Sequence, residues 1–415
     1  MIDKVTNKKI EQNIERFTND KLTRRQFLKS MLGLGISVAS INSILAACGR
    51  PPASPVETGE TPSGGTTNKG TINYWGSPIE IPGDDWGPIV QETGWEMNFV
   101  DNGSALGPVL AGLAAGTAQN QFDIISLNRG AQMVLAPENY IVPVDPAKFP
   151  NSTKAYDYWP LNSDLYKYEG KLYGIPVMGN GDSVAYLPDK TGEITSLSAL
   201  FDPDFKGKTA LENRWSAALI KTAIYLKGND LETIKDPGDM TPDELKLVAD
   251  FLIEKKKEGQ FRTFWNGWED AISLLGNEEV WIMDTWEPVV YALKAEGKNV
   301  EYAWPKEGFM FWLVANYLLK GAVDRGKEQA FYDLCNFQFS GWYVAKIAAV
   351  RGYLVPTGLG IEYAKAHPDE FDVAELERLQ ANARRKFEEY PGYWEHYAPT
   401  YMSDYEEQWQ RVLSA

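Results

Sequence analysis

The segment Phe122-Asp123-Ile124-Ile125-Ser126-Leu127 constrains this chain most. It reads as an apolar strand with no solvent-facing side, because the adjacent Ile124 and Ile125 put apolar side chains on both faces. Strands of that kind belong to sheets covered by helices on both faces, which βα units with parallel pairing build. The flanking sequence fits. Thr71-Ile72-Asn73-Tyr74-Trp75 reads as a first strand ended by Gly76, and residues 106–118, dense in Ala, Gly and Leu, as a helix able to pack closely on a sheet. Further on, Lys171-Leu172-Tyr173-Gly174-Ile175-Pro176-Val177-Met178 and Val184-Ala185-Tyr186-Leu187 read as two strands. The break at Gly179-Asn180-Gly181 between them suits a crossover between lobes. Thr241-Pro242-Asp243-Glu244 supplies an N-cap, a proline at the first helical position and a capping box. The helix it opens is expected to run to about residue 257, with Leu245, Val248, Leu252 and Ile253 inward. One helix is expected over 324–346 and helical structure along the charged tail 374–413. The alternation predicts an α/β fold with mainly parallel sheets.

The N-terminal region carries an address. Thr23-Arg24-Arg25-Gln26-Phe27-Leu28-Lys29 reads as a twin-arginine export signal. Residues 31–47 have the length of a signal h-region and fall short of a membrane span. They end in Leu45-Ala46-Ala47-Cys48-Gly49, which resembles a bacterial lipobox. Residues 1–48 are therefore expected to form a Tat-type lipoprotein signal ending at a lipidated Cys48. Residues 49–70, rich in Pro, Gly, Ser and Thr, are expected to be a flexible linker. The body would then lie on the periplasmic or extracellular face of the cytoplasmic membrane, held there by its lipid.

Composition narrows the chemistry. The formal charge is −16, and removing the net-basic leader makes the remainder more acidic still. Such a body repels nucleic acid and anionic lipid. With Cys48 lipidated, only Cys335 remains, in the aromatic run Phe331-Tyr332-Asp333-Leu334-Cys335-Asn336-Phe337, and it reads as a core thiol. The two histidines, His367 and His396, are too few for most Ser-His-Asp, Cys-His or zinc arrangements. No glycine-rich dinucleotide loop and no nucleophile elbow occurs, so no catalytic residue, metal or cofactor is expected. Paired carboxylates on an aromatic platform, as in an exported carbohydrate-active hydrolase, are the enzymatic alternative. Several of the 14 tryptophans stand beside turn residues, as in Trp75-Gly76, Trp286-Glu287-Pro288 and Trp304-Pro305, where they line clefts more often than they fill cores.

An ordered set of segments then carries a resemblance. It comprises Tyr74-Trp75, Tyr173-Gly174-Ile175-Pro176 and Leu200-Phe201-Asp202-Pro203-Asp204-Phe205-Lys206-Gly207-Lys208. It continues with Trp304-Pro305-Lys306-Glu307-Gly308, Phe311-Trp312 and Gly352-Tyr353 with Pro356. From Thr71 onward the chain resembles the periplasmic spermidine/putrescine-binding proteins of ABC importers. The resemblance implies a type II periplasmic-binding-protein fold, with two α/β lobes joined by a hinge and a ligand cleft between them. Lobe 1 would be 71–178 plus 308–358, and lobe 2 would be 179–307 plus 359–415, with crossovers near Gly179 and Trp304. It also implies a monomeric, cofactor-free receptor that captures a small amine by lobe closure and delivers it to a membrane permease.

In that family aromatic faces sandwich the polyamine while carboxylates bind its ammonium ends. Carried over position by position, Trp75, Trp286, Trp312 and Tyr353 fall where the family places cleft aromatics, and Trp286 precedes Trp304 by the family's 18 residues. The carboxylate positions differ. Val314 stands where the family has an aspartate, and Glu212-Asn213-Arg214-Trp215-Ser216 where it has an Asp and a Glu. Asn128-Arg129-Gly130 replaces a small hydroxyl and an aromatic residue. Asp182, Glu287, Glu395, Asp84 and Asp85 are acids able to restore an amine site. A second version of the receptor holds a carboxylated or zwitterionic solute with Arg129 and Arg214. A ferric-ion receptor would want adjacent tyrosines, and no Tyr-Tyr pair occurs.

Overall fold

A computed structural model of the chain describes residues 68–83, 86–104 and 106–415. The export signal, Cys48, most of the linker, Asp84 and Asp85 lie outside the described residues. The strands are β1 (Gly70–Gly76), β2 (Trp95–Asp101), β3 (Ile124–Asn128), β4 (Lys167–Tyr168), β5 (Lys171–Leu172) and β6 (Gly174–Tyr186). They continue with β7 (Thr209–Glu212), β8 (Phe261–Trp265), β9 (Ile282–Thr285), β10 (Glu301–Tyr302), β11 (Phe309–Leu318) and β12 (Gly392–Trp394). All but the β4–β5 pair join one sheet in the order β2-β1-β3-β11-β6-β9-β7-β8, with β10 on β6 and β12 on β11. Pairing is parallel within the flanks β2-β1-β3 and β9-β7-β8. It is antiparallel at the centre, where β11 and β6 pair with each other and with β3 and β9. The expected parallel pairing is thus found in the flanks and in the short β12–β11 pair.

Each flank is the sheet of one α/β lobe. One apolar cluster gathers Ile72, Ile124, Ile175, Leu313 and Phe331. The other lobe's core has two parts, one around Leu211, Ile220 and Leu245, the other around Met283, Val289 and Leu293. The chain passes between the lobes on β6, returns on β11, and crosses again between Ala398 and Tyr405. The helices Leu359–Ala366 and Val373–Glu389 pack on the first lobe through Ala364, Leu376 and Ala383. The last helix, Met402–Ser414, packs on the second, through Tyr405, Trp409 and Val412, and Phe387 of Val373–Glu389 reaches that lobe too. Residues 359–415 are therefore divided between lobes rather than held by one.

The two strands expected around Gly179-Asn180-Gly181 are one continuous strand, β6, buried throughout. Its glycines serve close approach rather than a turn. A Cβ on Gly179 would stand 2.2 Å from the Trp312 carbonyl oxygen, and one on Gly181 would stand 2.7 Å from the Phe311 ring. Two expected helices are split. Residues 106–118 form Leu106–Ala114 and Thr117–Gln121, parted at Gly116, which adopts φ 74°. Residues 324–346 give Glu328–Gln338 and Gly341–Arg351, parted at Ser340, the N-cap of the second. The helix Pro242–Lys257 forms as its capping box dictates, with the Thr241 N–H donating to Glu244 at 2.8 Å.

Candidate ligand-binding cleft

Parallel strands bring their carboxyl ends to a common edge, and ligands of open α/β sheets bind there. Here Ser77 follows β1, Asn128 ends β3, Glu212 ends β7 and Trp286 follows β9. These four meet the central strands at a cleft of about 520 Å³ between the lobes. Asp182 on β6 and Trp312 and Val314 on β11 form its floor, and Tyr353, Arg351, Glu395 and Trp268 complete the walls.

The loop after β1 is fixed from behind. The buried Glu80 carboxylate accepts the Ser77 N–H at 2.8 Å and hydrogen bonds from the Tyr74 and Ser126 hydroxyls. Burial pushes Glu80 up to about 7, against those hydrogen bonds. The Tyr74 hydroxyl also lies 2.7 Å from Asn316 Oδ1 on β11, which places the cleft loop against the central strands.

Trp312 stands opposite Asn180 in the β11–β6 register, so Asp182 is its diagonal neighbour. The Trp312 indole N–H donates to Asp182 Oδ1 at 2.9 Å. Asp182 Oδ2 is buried and has no hydrogen-bond partner. Burial raises this carboxyl to about 6, opposed by the nearby Lys221 ammonium and the indole N–H. Lys221 itself is buried and pairs with Asp284 at 3.3 Å, so it supports Asp182 only at a distance. Tyr353 meets Trp312 edge-on, with centroids 5.0 Å apart and planes at 88°. Trp286 is held in the same way by Trp265, at 5.0 Å and 78°. Aromatic faces and one uncompensated carboxylate are the ingredients that stabilise an ammonium group.

Arg214 does not supply a free charge. Its Nε lies 2.9 Å from Glu212 and its NH1 2.7 Å from Glu395. Its side chain is partly exposed, and against the opposing effect of partial burial these carboxylates raise its basicity above the ordinary value. Asn128 donates to the other Glu395 oxygen at 2.9 Å. The repulsion that Arg214 would exert on an ammonium ion is thereby offset within the wall itself.

Three residues expected in the cleft stand elsewhere. Trp75 points to the opposite face of β1 from Tyr74 and stacks on Phe122, with centroids 4.8 Å apart. Arg129 donates to the carbonyls of Trp394 and Glu395 at 3.3 and 3.4 Å, so it holds the chain that bears Glu395. Burial lowers its basicity. Glu287 is bound by Lys386 at 2.5 Å, Tyr291 at 2.7 Å and Asn180 at 3.1 Å behind the crossing strands. Spacing alone does not reveal such side-chain directions. Of the alternative anchors, Arg214 is engaged by two carboxylates, whereas Arg129 lies outside the cleft lining, held by main-chain carbonyls with its buried Nε unpartnered. Conversely, Ser77, Ile79, Trp268, Pro288 and Arg351 line the cleft without having been expected there. The carboxyl-end rule reaches Ser77, whereas nothing in the local sequence marks Arg351. Cys335 is buried, and burial pushes its thiol up to about 12, as a core thiol requires.

Residues 89–365 match the model of the bacterial extracellular solute-binding protein family, and the chain belongs to that family. It is similar to the spermidine/putrescine substrate-binding protein PotD of Streptococcus pneumoniae at 13% identity, covering 83% of this chain and 99% of that one, with a TM-score of 0.65. It is likewise similar to the TpPotD lipoprotein of Treponema pallidum at 13% identity, covering 82% and 99%, with a TM-score of 0.64. A third similar structure is the periplasmic binding protein MotA of A. tumefaciens in complex with glucopine, at 15% identity, covering 82% and 98%, with a TM-score of 0.60. The fold is the type II periplasmic-binding-protein fold, and the chain is an extracellular solute-binding protein.

Proposed function

We propose that this receptor captures a small solute bearing an ammonium group, of which a polyamine is one form. Asp182 anchors the ammonium while Trp286, Trp312 and Tyr353 cover the attached carbon chain. The observation that carries this reading is the buried, unpartnered Asp182 Oδ2 in an aromatic-walled cleft. A buried carboxylate without a partner is costly, and a cation in the cleft removes that cost. Polyamine and glucopine binding by structurally similar proteins supports an amine-bearing ligand. The lobes close about β6 and β11 over the solute, and the closed form engages the permease. Cys48 carries the lipid that tethers the receptor to the membrane, with residues 49–70 as its leash.

A thermal-shift panel on the purified full chain tests this. Putrescine, spermidine and short amino acids should raise the melting temperature by mass action, while glucose and succinate should not. A rise with glucose or succinate and none with any amine would overturn the reading.

A further inference from the structure

We propose that Arg351 is the anion-binding pole of this cleft, so that the captured solute is an amino carboxylate with its ammonium at Asp182 and its carboxylate at Arg351. The inference rests on the amine reading above and narrows it.

Five charged side chains line the cleft: Asp182, Glu212, Arg214, Arg351 and Glu395. Three of them satisfy one another, because Arg214 binds both Glu212 and Glu395. That leaves one charge of each sign, Asp182 and Arg351, with no ion-pair partner among the described residues. Each also carries a buried polar atom without a hydrogen-bond partner, Oδ2 on Asp182 and Nε on Arg351. A cleft with one unanswered carboxylate and one unanswered guanidinium is complementary to a solute bearing both opposite charges.

The placement of Arg351 is built rather than incidental. It is the last residue of the helix Gly341–Arg351, where a cation is favoured by the helix dipole. Gly352 then turns the chain with φ 65°, and a Cβ there would meet the Tyr291 ring at 2.4 Å. This turn brings Arg351 and Tyr353 to the same cleft. NH2 of Arg351 donates to the Pro78 carbonyl at 3.2 Å, which fixes the guanidinium plane and leaves other donors of the fork for a carboxylate. The two poles flank Tyr353: burial raises its hydroxyl, Asp182 raises it further and Arg351 opposes them. A diamine spanning the cleft would press its second ammonium against Arg351, so the same residue discriminates against polyamines.

Calorimetric titration of the full chain with two matched series tests the assignment. One series is α,ω-diamines and the other ω-amino carboxylates, each with three to five methylenes. The best amino carboxylate should bind at least about tenfold tighter than the best diamine, because one end meets a charge of opposite rather than like sign. Arg351→Gln should weaken the amino carboxylate by roughly 10- to 100-fold and leave diamine binding unchanged or improved. Arg351→Lys should fall between. A wild-type protein that binds the diamine as tightly as the amino carboxylate, or tighter, would overturn the inference while leaving the amine reading intact. An Arg351→Gln variant that weakens both series equally would do the same. No binding in either series would overturn both. The wild-type comparison holds even if the variants fold poorly.

Discussion

Asp182 combines a cost and a use in one carboxyl group. Its pKa in the fold, about 6, lies above the ordinary 3.8, so the folded protein holds the proton more tightly than the unfolded chain. Stability attributable to this group is therefore full below pH about 4 and is lost as pH rises through about 6. Asp182→Asn should raise the stability of the ligand-free protein at pH 7.5 by on the order of 1–3 kcal/mol and leave it unchanged near pH 4. Urea unfolding at the two pH values measures the difference, and an equal effect at both would contradict the assignment. Glu287 is the opposite case. Burial would push it up, yet Lys386 and its other partners hold it below the ordinary range. Lys386→Met should cost about 3–5 kcal/mol by stranding a buried carboxylate, and Glu287→Gln added to it should recover much of that loss. Urea midpoints of the single and double variants decide this. At this scale the family resemblance placed Asn128, Glu212 and Trp286 at positions that do line the cleft. It misled for Trp75, Arg129 and Glu287, because contacts from distant segments set the direction of each side chain. Arg351 went unseen because a basic residue at a helix end looks like an ordinary solvent-facing cap.

The central strands bear the geometry of the cleft. β6 and β11 run antiparallel from Tyr317↔Gly174 to Met310↔Asp182, with one irregularity between Val314 and Ala315. Gly179→Ala would drive a methyl group to within 2.2 Å of a backbone oxygen, which a flexible side chain cannot relieve. It should destabilise the fold by roughly 1–3 kcal/mol or more and weaken solute binding through displacement of Trp312. Thr241→Ala is the matched control. It should cost about 1 kcal/mol through loss of the helix cap and leave solute affinity unchanged, as calorimetry beside urea unfolding would register. The helix Pro242–Lys257 was readable because its signals are local, whereas β6 was read as two strands with a break at its centre. A Gly-Asn-Gly sequence signals a turn by propensity, and only the close approach of β11 explains glycines in extended backbone.

On the scale of the whole molecule, a cleft between two lobes joined by extended strands is a capture device. Trp268 is 41% exposed on the cleft rim, an unusual position for a large ring unless closure covers it. Saturating solute should contract the particle in small-angle scattering and change tryptophan emission, and Trp268→Phe should remove a large part of the emission change while contraction persists. Contraction absent at saturation would exclude lobe closure. In the proposed function solute capture depends above all on the charge of Asp182, and calorimetry of putrescine and 5-aminopentanoate at pH 7.5 and pH 5 measures that dependence most directly. For the better of the two ligands, wild-type affinity should fall by up to about tenfold at the lower pH, as a carboxyl of pKa about 6 takes up its proton. Asp182→Asn should bind weakly at both pH values. If Asp182→Asn bound either amine as tightly as the wild type does, Asp182 would not be the ammonium anchor.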